Sequence, residues 1–126
     1  MRPRTLAEVA QLALGGDSFD RCLANFLDDF YAGPADAALA ETPQLLAPAC
    51  GELGLRQDAY LAATAEELAR RFSLAMPSWI AAPERMLHRP WFASPLASLR
   101  AVLLVESPAG FRARNLFVSE NALSRV

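Results

Sequence analysis

The stretch FDRCLANFLDDFYA, residues 19–32, decides the fold class of this chain. Its large apolar residues recur at spacings of three and four, the period of an α-helix rather than of a strand. They are Phe19, Leu23, Phe26, Leu27 and Phe30. Asp17 or Ser18 can cap the first turn, and Gly33-Pro34 ends the segment. We therefore predict an amphipathic helix whose apolar stripe faces the core.

The composition extends this prediction to the whole chain. The 126 residues include 25 Ala and 20 Leu but only 5 Val and 1 Ile. Ala and Leu favour helices, whereas strands favour β-branched residues. A chain of this length corresponds to one domain, and its 53% apolar content argues against global disorder. We predict one compact all-α domain over residues 1–126, with about five or six helices.

Helix start and stop signals place the other elements. Thr5-Leu6-Ala7-Glu8 is a capping box that opens a first helix, and Gly15-Gly16 ends it. The prediction then gives a short helix over 34–41, mainly loop over 42–54, and a long helix over about 56–72. In the long helix, Glu66→Arg70 and Glu67→Arg71 are favourable i,i+4 pairs, which we assign to the solvent face.

Prolines shape the second half of the chain. Four of them fall in residues 73–95, so we predict an irregular strap there. Ser94-Pro95 opens a helix to about Glu106 that is apolar nearly all round, and we expect it to be the central helix. Ser107-Pro108 opens a short helix to about Arg114, followed by an apolar tail.

The charge distribution is uneven along the chain. All 12 basic residues are Arg, and the Ala-rich, Arg-only usage is typical of a GC-rich bacterial genome. Residues 1–67 have a net charge of −7 and residues 68–126 one of +5. The two halves can neutralise each other or form acidic and basic faces that select a partner. The overall charge of −2 and pI near 5.3 make nucleic acid an improbable partner.

Six residues are the candidate partner contacts. Asp28 and Asp29 sit near a helix C-terminus, where acids oppose the macrodipole. Arg112 and Arg114 offer planar guanidinium groups for carboxylates or phosphates. For these arginines we favour internal pairing with the acids of residues 19–32, with a protein interface as the alternative. Trp79 and Trp91 either cover the core or form interface hot spots.

Reaction chemistry has little support in the sequence. His88, the only histidine, has no evident nucleophile or orienting acid beside it, so a small enzyme using His88 is a minor alternative. Residues 65–80 resemble a helix-turn-helix, but Pro83 cuts the second helix short, which leaves a DNA-binding regulator as another alternative. We assign no catalytic, cofactor-binding or metal-binding residue. The N-terminus does not fit a signal peptide and no apolar run could span a membrane, so we expect a cytoplasmic protein.

Two segments carry a resemblance to a family. Phe26-Leu27-Asp28-Asp29-Phe30-Tyr31, and the stretch from Pro90-Trp91-Phe92 through 111–119 to Leu123-Ser124-Arg125, resemble a group of small bacterial proteins with no assigned activity. Some members are encoded beside nucleotidyltransferase-like toxin components. The resemblance implies a partner-binding or antitoxin-like accessory role and supplies no catalytic residues. Our hypothesis is a non-enzymatic protein-interaction module, with homo-oligomerisation left open.

Overall fold

A computed structural model describes residues 2–125. Within them lie six α-helices and two very short strands, in agreement with the predicted all-α class. The helices are α1 (Leu6–Leu14), α2 (Phe19–Ala32), α3 (Ala37–Ala40), α4 (Ala47–Arg71), α5 (Ala97–Glu106) and α6 (Ala109–Arg112). The strands are β1 (Trp91–Phe92) and β2 (Leu116–Phe117).

The first two helices follow the sequence signals closely. The Thr5 hydroxyl accepts from the Glu8 N–H at 3.0 Å, and Glu8 reaches back to the Arg4 N–H at 2.8 Å. This is one residue earlier than an ideal capping box would have it. Ser18, not Asp17, caps α2 by accepting from the Arg21 N–H. The predicted apolar stripe of α2 is buried, as its period requires.

The central helix is α4, and the prediction that residues 95–106 would fill this role is wrong. Eleven residues of α4 are buried, and many are alanines whose small side chains let neighbouring elements approach closely. In α5 only Leu103 is buried. Contacts with α1, α6, β2 and the strap all converge on α4.

The start of α4 also differs from the prediction of a loop over 42–54. The helix begins at Ala47, and Gly51 interrupts it with φ 62° and ψ −137°, a conformation that favours glycine. Asp58, fully buried two turns further on, accepts from the N–H groups of Leu46 at 2.7 Å and Ala47 at 3.1 Å. Burial raises the pKa of the Asp58 carboxyl, although these two amides and Arg85 oppose the shift.

The strap of residues 73–95 is irregular, as predicted, with 3₁₀ turns at Ser78–Ala81 and Pro83–Arg85. Trp79 anchors it by donating from Nε1 to the Leu39 carbonyl at 2.9 Å. Buried Arg85 stacks on the Trp79 ring at 4.7 Å and donates to the Pro43 and Asp58 carbonyls. The end of the strap forms β1, which pairs in parallel with β2, a pairing that the sequence did not predict.

Candidate functional site

The predicted contact residues do not form one cluster. Asp28 and Asp29 are exposed at the end of α2, where arginines from both chain termini neutralise them. Arg125 Nε lies 2.9 Å from Asp28, and Arg2 lies 3.3 Å from Asp29. The side-chain hydrogen bond from Arg125 lowers the pKa of the Asp28 carboxyl. The favoured pairing of these acids with Arg112 or Arg114 is therefore wrong, since their partners are Arg125 and Arg2.

Arg114 pairs with α4 instead. Its side chain is only 6% exposed and donates to Glu66 at 2.9 Å, to the Gly110 carbonyl at 2.7 Å and to the Ile80 carbonyl at 2.9 Å. Burial opposes ionisation of Glu66, but hydrogen bonds from Arg114 and Arg70 outweigh it and lower the pKa of that carboxyl. Arg114 is thus a structural residue, and its prediction as a partner contact is corrected.

Glu67 belongs to the same polar cluster. Its carboxylate is buried and accepts from the Gly110 N–H at 2.9 Å and from Arg70 at 2.8 Å. The predicted i,i+4 pairs of α4 do form, with Arg71 at 3.4 Å from Glu67 and Arg70 at 2.6 Å from Glu66. Their assignment to the solvent face is wrong for the two acids, because α6 packs over them.

The prediction of Trp79 as a partner contact is also wrong. This residue is 7% exposed and holds the strap to the core. Trp91 is half-buried beneath the Arg56 guanidinium, which lies 5.2 Å from its ring. Arg112 is exposed on α6. Asp28, Asp29, Trp91 and Arg112 therefore stay available as predicted contacts.

Among the described residues, the structure adds no catalytic or DNA-binding group to the two alternative sites, His88 and residues 65–80. His88 is exposed, and within residues 2–125 no hydrogen bond or ion pair joins it to an acid or a nucleophile. After α4, the position of a recognition helix is occupied by the four-residue turn Ser78–Ala81. In the same described part of the chain, no group of three His, Cys, Asp or Glu residues could hold a metal. None of its helices has the length and apolar character needed to cross a bilayer.

The feature that sequence reasoning missed is the outward side of α5. Val105 is 80% exposed, and Val102 and Leu104 are each close to half exposed. At 100° per residue, Val105 lies almost opposite the one buried residue, Leu103. Ala97, Ser98 and Ala101 fill the rest of this arc. We call these six residues the α5 face: Ala97, Ser98, Ala101, Val102, Leu104 and Val105.

The two charged residues of α5 point away from this face. Arg100 lies over the Phe92 ring at 5.2 Å, and Glu106 accepts from the Glu120 N–H at 3.3 Å. Both therefore contact the body of the protein. An ordinary surface helix turns its charges to water and its apolar side inward. In α5 the apolar residues of the α5 face are turned to water and carry no charge, while Arg100, which is itself exposed, lies over Phe92.

No family model, curated protein or solved structure matches this chain.

Proposed function

We propose that this protein is a non-enzymatic interaction module that docks a helix of a protein partner on the α5 face. The observation that supports the proposal is the exposed apolar face of α5, with Val105 80% exposed. The α5 face has no charged residue, and the two charged residues of α5, Arg100 and Glu106, lie beside Phe92 and the Glu120 backbone. Exposed apolar surface of this kind marks interaction sites in soluble proteins.

The size of the face favours a reversible complex with another protein over an obligate dimer. A standard interface draws about 20–30 residues from each partner, and obligate dimers use still larger ones. The whole of α5 has 10 residues. The small side chains of Ala97 and Ala101 allow close approach of a second helix, and Val102, Leu104 and Val105 supply the apolar contact.

The resemblance noted from the sequence suggests which kind of protein the partner is. It would make the partner the toxin component of a two-protein bacterial system and this chain its antitoxin-like or accessory subunit. That assignment depends on the resemblance, whereas the docking proposal depends on the α5 face, and each can fail without the other.

Affinity capture with a matched control tests the docking proposal. Tagged wild type, the double variant Val102→Asp/Val105→Asp and the control Met76→Asp are expressed in the native host. Met76 is 51% exposed and lies outside α5. We expect a stoichiometric protein partner with wild type and control, resistant to nuclease, and its loss with the double variant. Equal recovery with all three chains would contradict the proposal, and recovery of nucleic acid alone would favour a regulator.

A further inference from the structure

A cavity of about 640 Å³ lies between α2, α4, the two strands and the tail that follows β2. Its lining residues lie outside α5. Its volume lies within the range of roughly 300–1,000 Å³ that small-molecule sites occupy. Most of its lining is apolar, including Leu23, Leu27, Leu116 and Val118. A site of this kind takes a ligand with an apolar body and a few polar groups.

Two donors of α4 line this cavity one turn apart. Arg56 and Tyr60 are at positions i and i+4, which places them on the same side of the helix. The Arg56 guanidinium stacks on Trp91, and no hydrogen bond or ion pair of this group occurs within residues 2–125. The Tyr60 hydroxyl likewise has no hydrogen-bond partner among those residues. Both groups are therefore free to donate to a ligand.

The protonation state of Tyr60 suits a donor. Burial, together with the charge of Asp20, raises the pKa of Tyr60 to about 12. The hydroxyl consequently keeps its proton at neutral pH and can donate to an anion. It does not form a phenolate that would itself bind Arg56.

The other charges around the cavity leave Arg56 as the group that selects the ligand. Arg125 also lines the cavity, but Asp28 neutralises it at 2.9 Å. Asp20 is exposed on the cavity wall, whereas Arg56 is half-buried against an aromatic ring. A planar guanidinium held in this way binds a carboxylate through two parallel N–H donors.

We propose that the cavity binds a small apolar monocarboxylate, with its carboxylate on Arg56 and Tyr60 and its hydrocarbon part against the leucines of α2. The Arg56 fork holds the two oxygens and the Tyr60 hydroxyl donates to one of them. The site is independent of the α5 face, so occupancy by a carboxylate and docking of a partner are separate properties.

Calorimetric titration with octanoate, below its micelle-forming concentration, tests the site. The Trp91 indole N–H signal in NMR spectra reports where the ligand binds. We expect saturable binding of octanoate that shifts the Trp91 signal, with 1-octanol and octylamine each binding at least ~10-fold more weakly, as charge-assisted hydrogen bonds predict. Absence of saturable octanoate binding, or equal binding of octanol, would overturn the proposal. Tighter binding of octylamine would assign recognition to Asp20 and overturn it as well.

Two variants locate the carboxylate within the cavity. Arg56→Met keeps the aliphatic stem on Trp91 and should weaken octanoate binding at least ~10-fold while leaving octanol unchanged. Tyr60→Phe keeps the ring and should weaken octanoate binding by a smaller factor. Arg112→Met, which removes an exposed arginine outside the cavity, is the matched control and should bind as wild type. Wild-type affinity in Arg56→Met would contradict the assigned orientation.

Discussion

Replacement of Arg114 by Met should destabilise this protein far more than the same replacement at Arg112, two residues away. Arg114 is buried, with three oxygen acceptors within 2.9 Å, on Glu66, Gly110 and Ile80. Met preserves most of the apolar stem but leaves these acceptors without their donor. Removing one partner of a buried ion pair costs about 3–5 kcal/mol, whereas an exposed substitution without partners stays within about 0.5 kcal/mol.

Urea denaturation of wild type and both variants at pH 7 measures this difference. We expect the midpoint of Arg114→Met to fall strongly, with an unchanged slope, while Arg112→Met unfolds like wild type. In thermal unfolding, the same loss corresponds to a fall of roughly 10–20 °C for a chain of this size. A loss below about 1 kcal/mol for Arg114→Met would refute the claim that this arginine holds α6 and the strap to α4.

The same pair predicts a pH dependence. Because the pKa of Glu66 lies below its ordinary value of 4.5 in the folded state, ionised Glu66 stabilises the fold above that value. This stabilisation is lost as the pH falls through the lowered pKa. The stability difference between wild type and Arg114→Met should therefore shrink below about pH 4. A difference that is constant from pH 7 to pH 3 would show that the Glu66 charge contributes nothing.

Three further predictions concern the helices. Gly54→Ala should destabilise strongly in urea melts, because its Cβ would lie 2.6 Å from the Leu46 backbone; Gly33→Ala, where nothing lies within 4 Å, should not. Asp58→Asn should cost about 1–3 kcal/mol in the same assay, since the side-chain NH2 that replaces one carboxylate oxygen would face a backbone N–H that it cannot accept from; unchanged stability would contradict a stabilising role for these two bonds. Leu103→Ala should cost about 2–3 kcal/mol, whereas Val105→Asp should leave the thermal midpoint nearly unchanged, and the opposite order would mean that α5 is packed the other way round.

Local signals in the sequence were sufficient for α1 and α2. The capping residues Thr5 and Ser18 and the glycines that follow each helix act within a few residues, so their effect is visible in the sequence. The stripe of α2 has one apolar side only, which leaves no choice about the side that faces the core. The prediction of an irregular strap over residues 73–95 succeeded for the same reason, because each proline restricts its own backbone.

The prediction failed where burial depends on distant residues. Residues 97–106 are apolar on all sides, a pattern that fits a central helix or an exposed docking helix equally well. What separates the two is that Arg100 and Glu106 both lie on the side of Leu103, and their contacts, with Phe92 and the Glu120 backbone, come from other segments. Similarly, Arg114 selects Glu66 over Asp28 because α6 packs on α4, a choice that no local pattern reveals.

The site residues divide along the same line. Trp79 and Arg114 have side-chain types that interfaces favour, yet both are buried and hold the strap and α6 to the core. No sequence motif marks Arg56 and Tyr60 as site residues, because both types are common on ordinary helices of a folded domain. Their i,i+4 spacing is visible in the sequence, but the cavity beside them depends on β2 and the tail, which line it together with α2 only in the folded chain.

Site-specific photo-crosslinking at position 105 in the native host tests whether a protein partner docks on the α5 face. A photoreactive amino acid replaces Val105 on the α5 face, and the same group at the exposed Met76 is the control. We predict one dominant protein adduct at position 105, formed through a helix of the partner, and none of that adduct at position 76. No adduct at position 105, or the same adducts at both positions, would contradict the proposal that α5 is a docking helix.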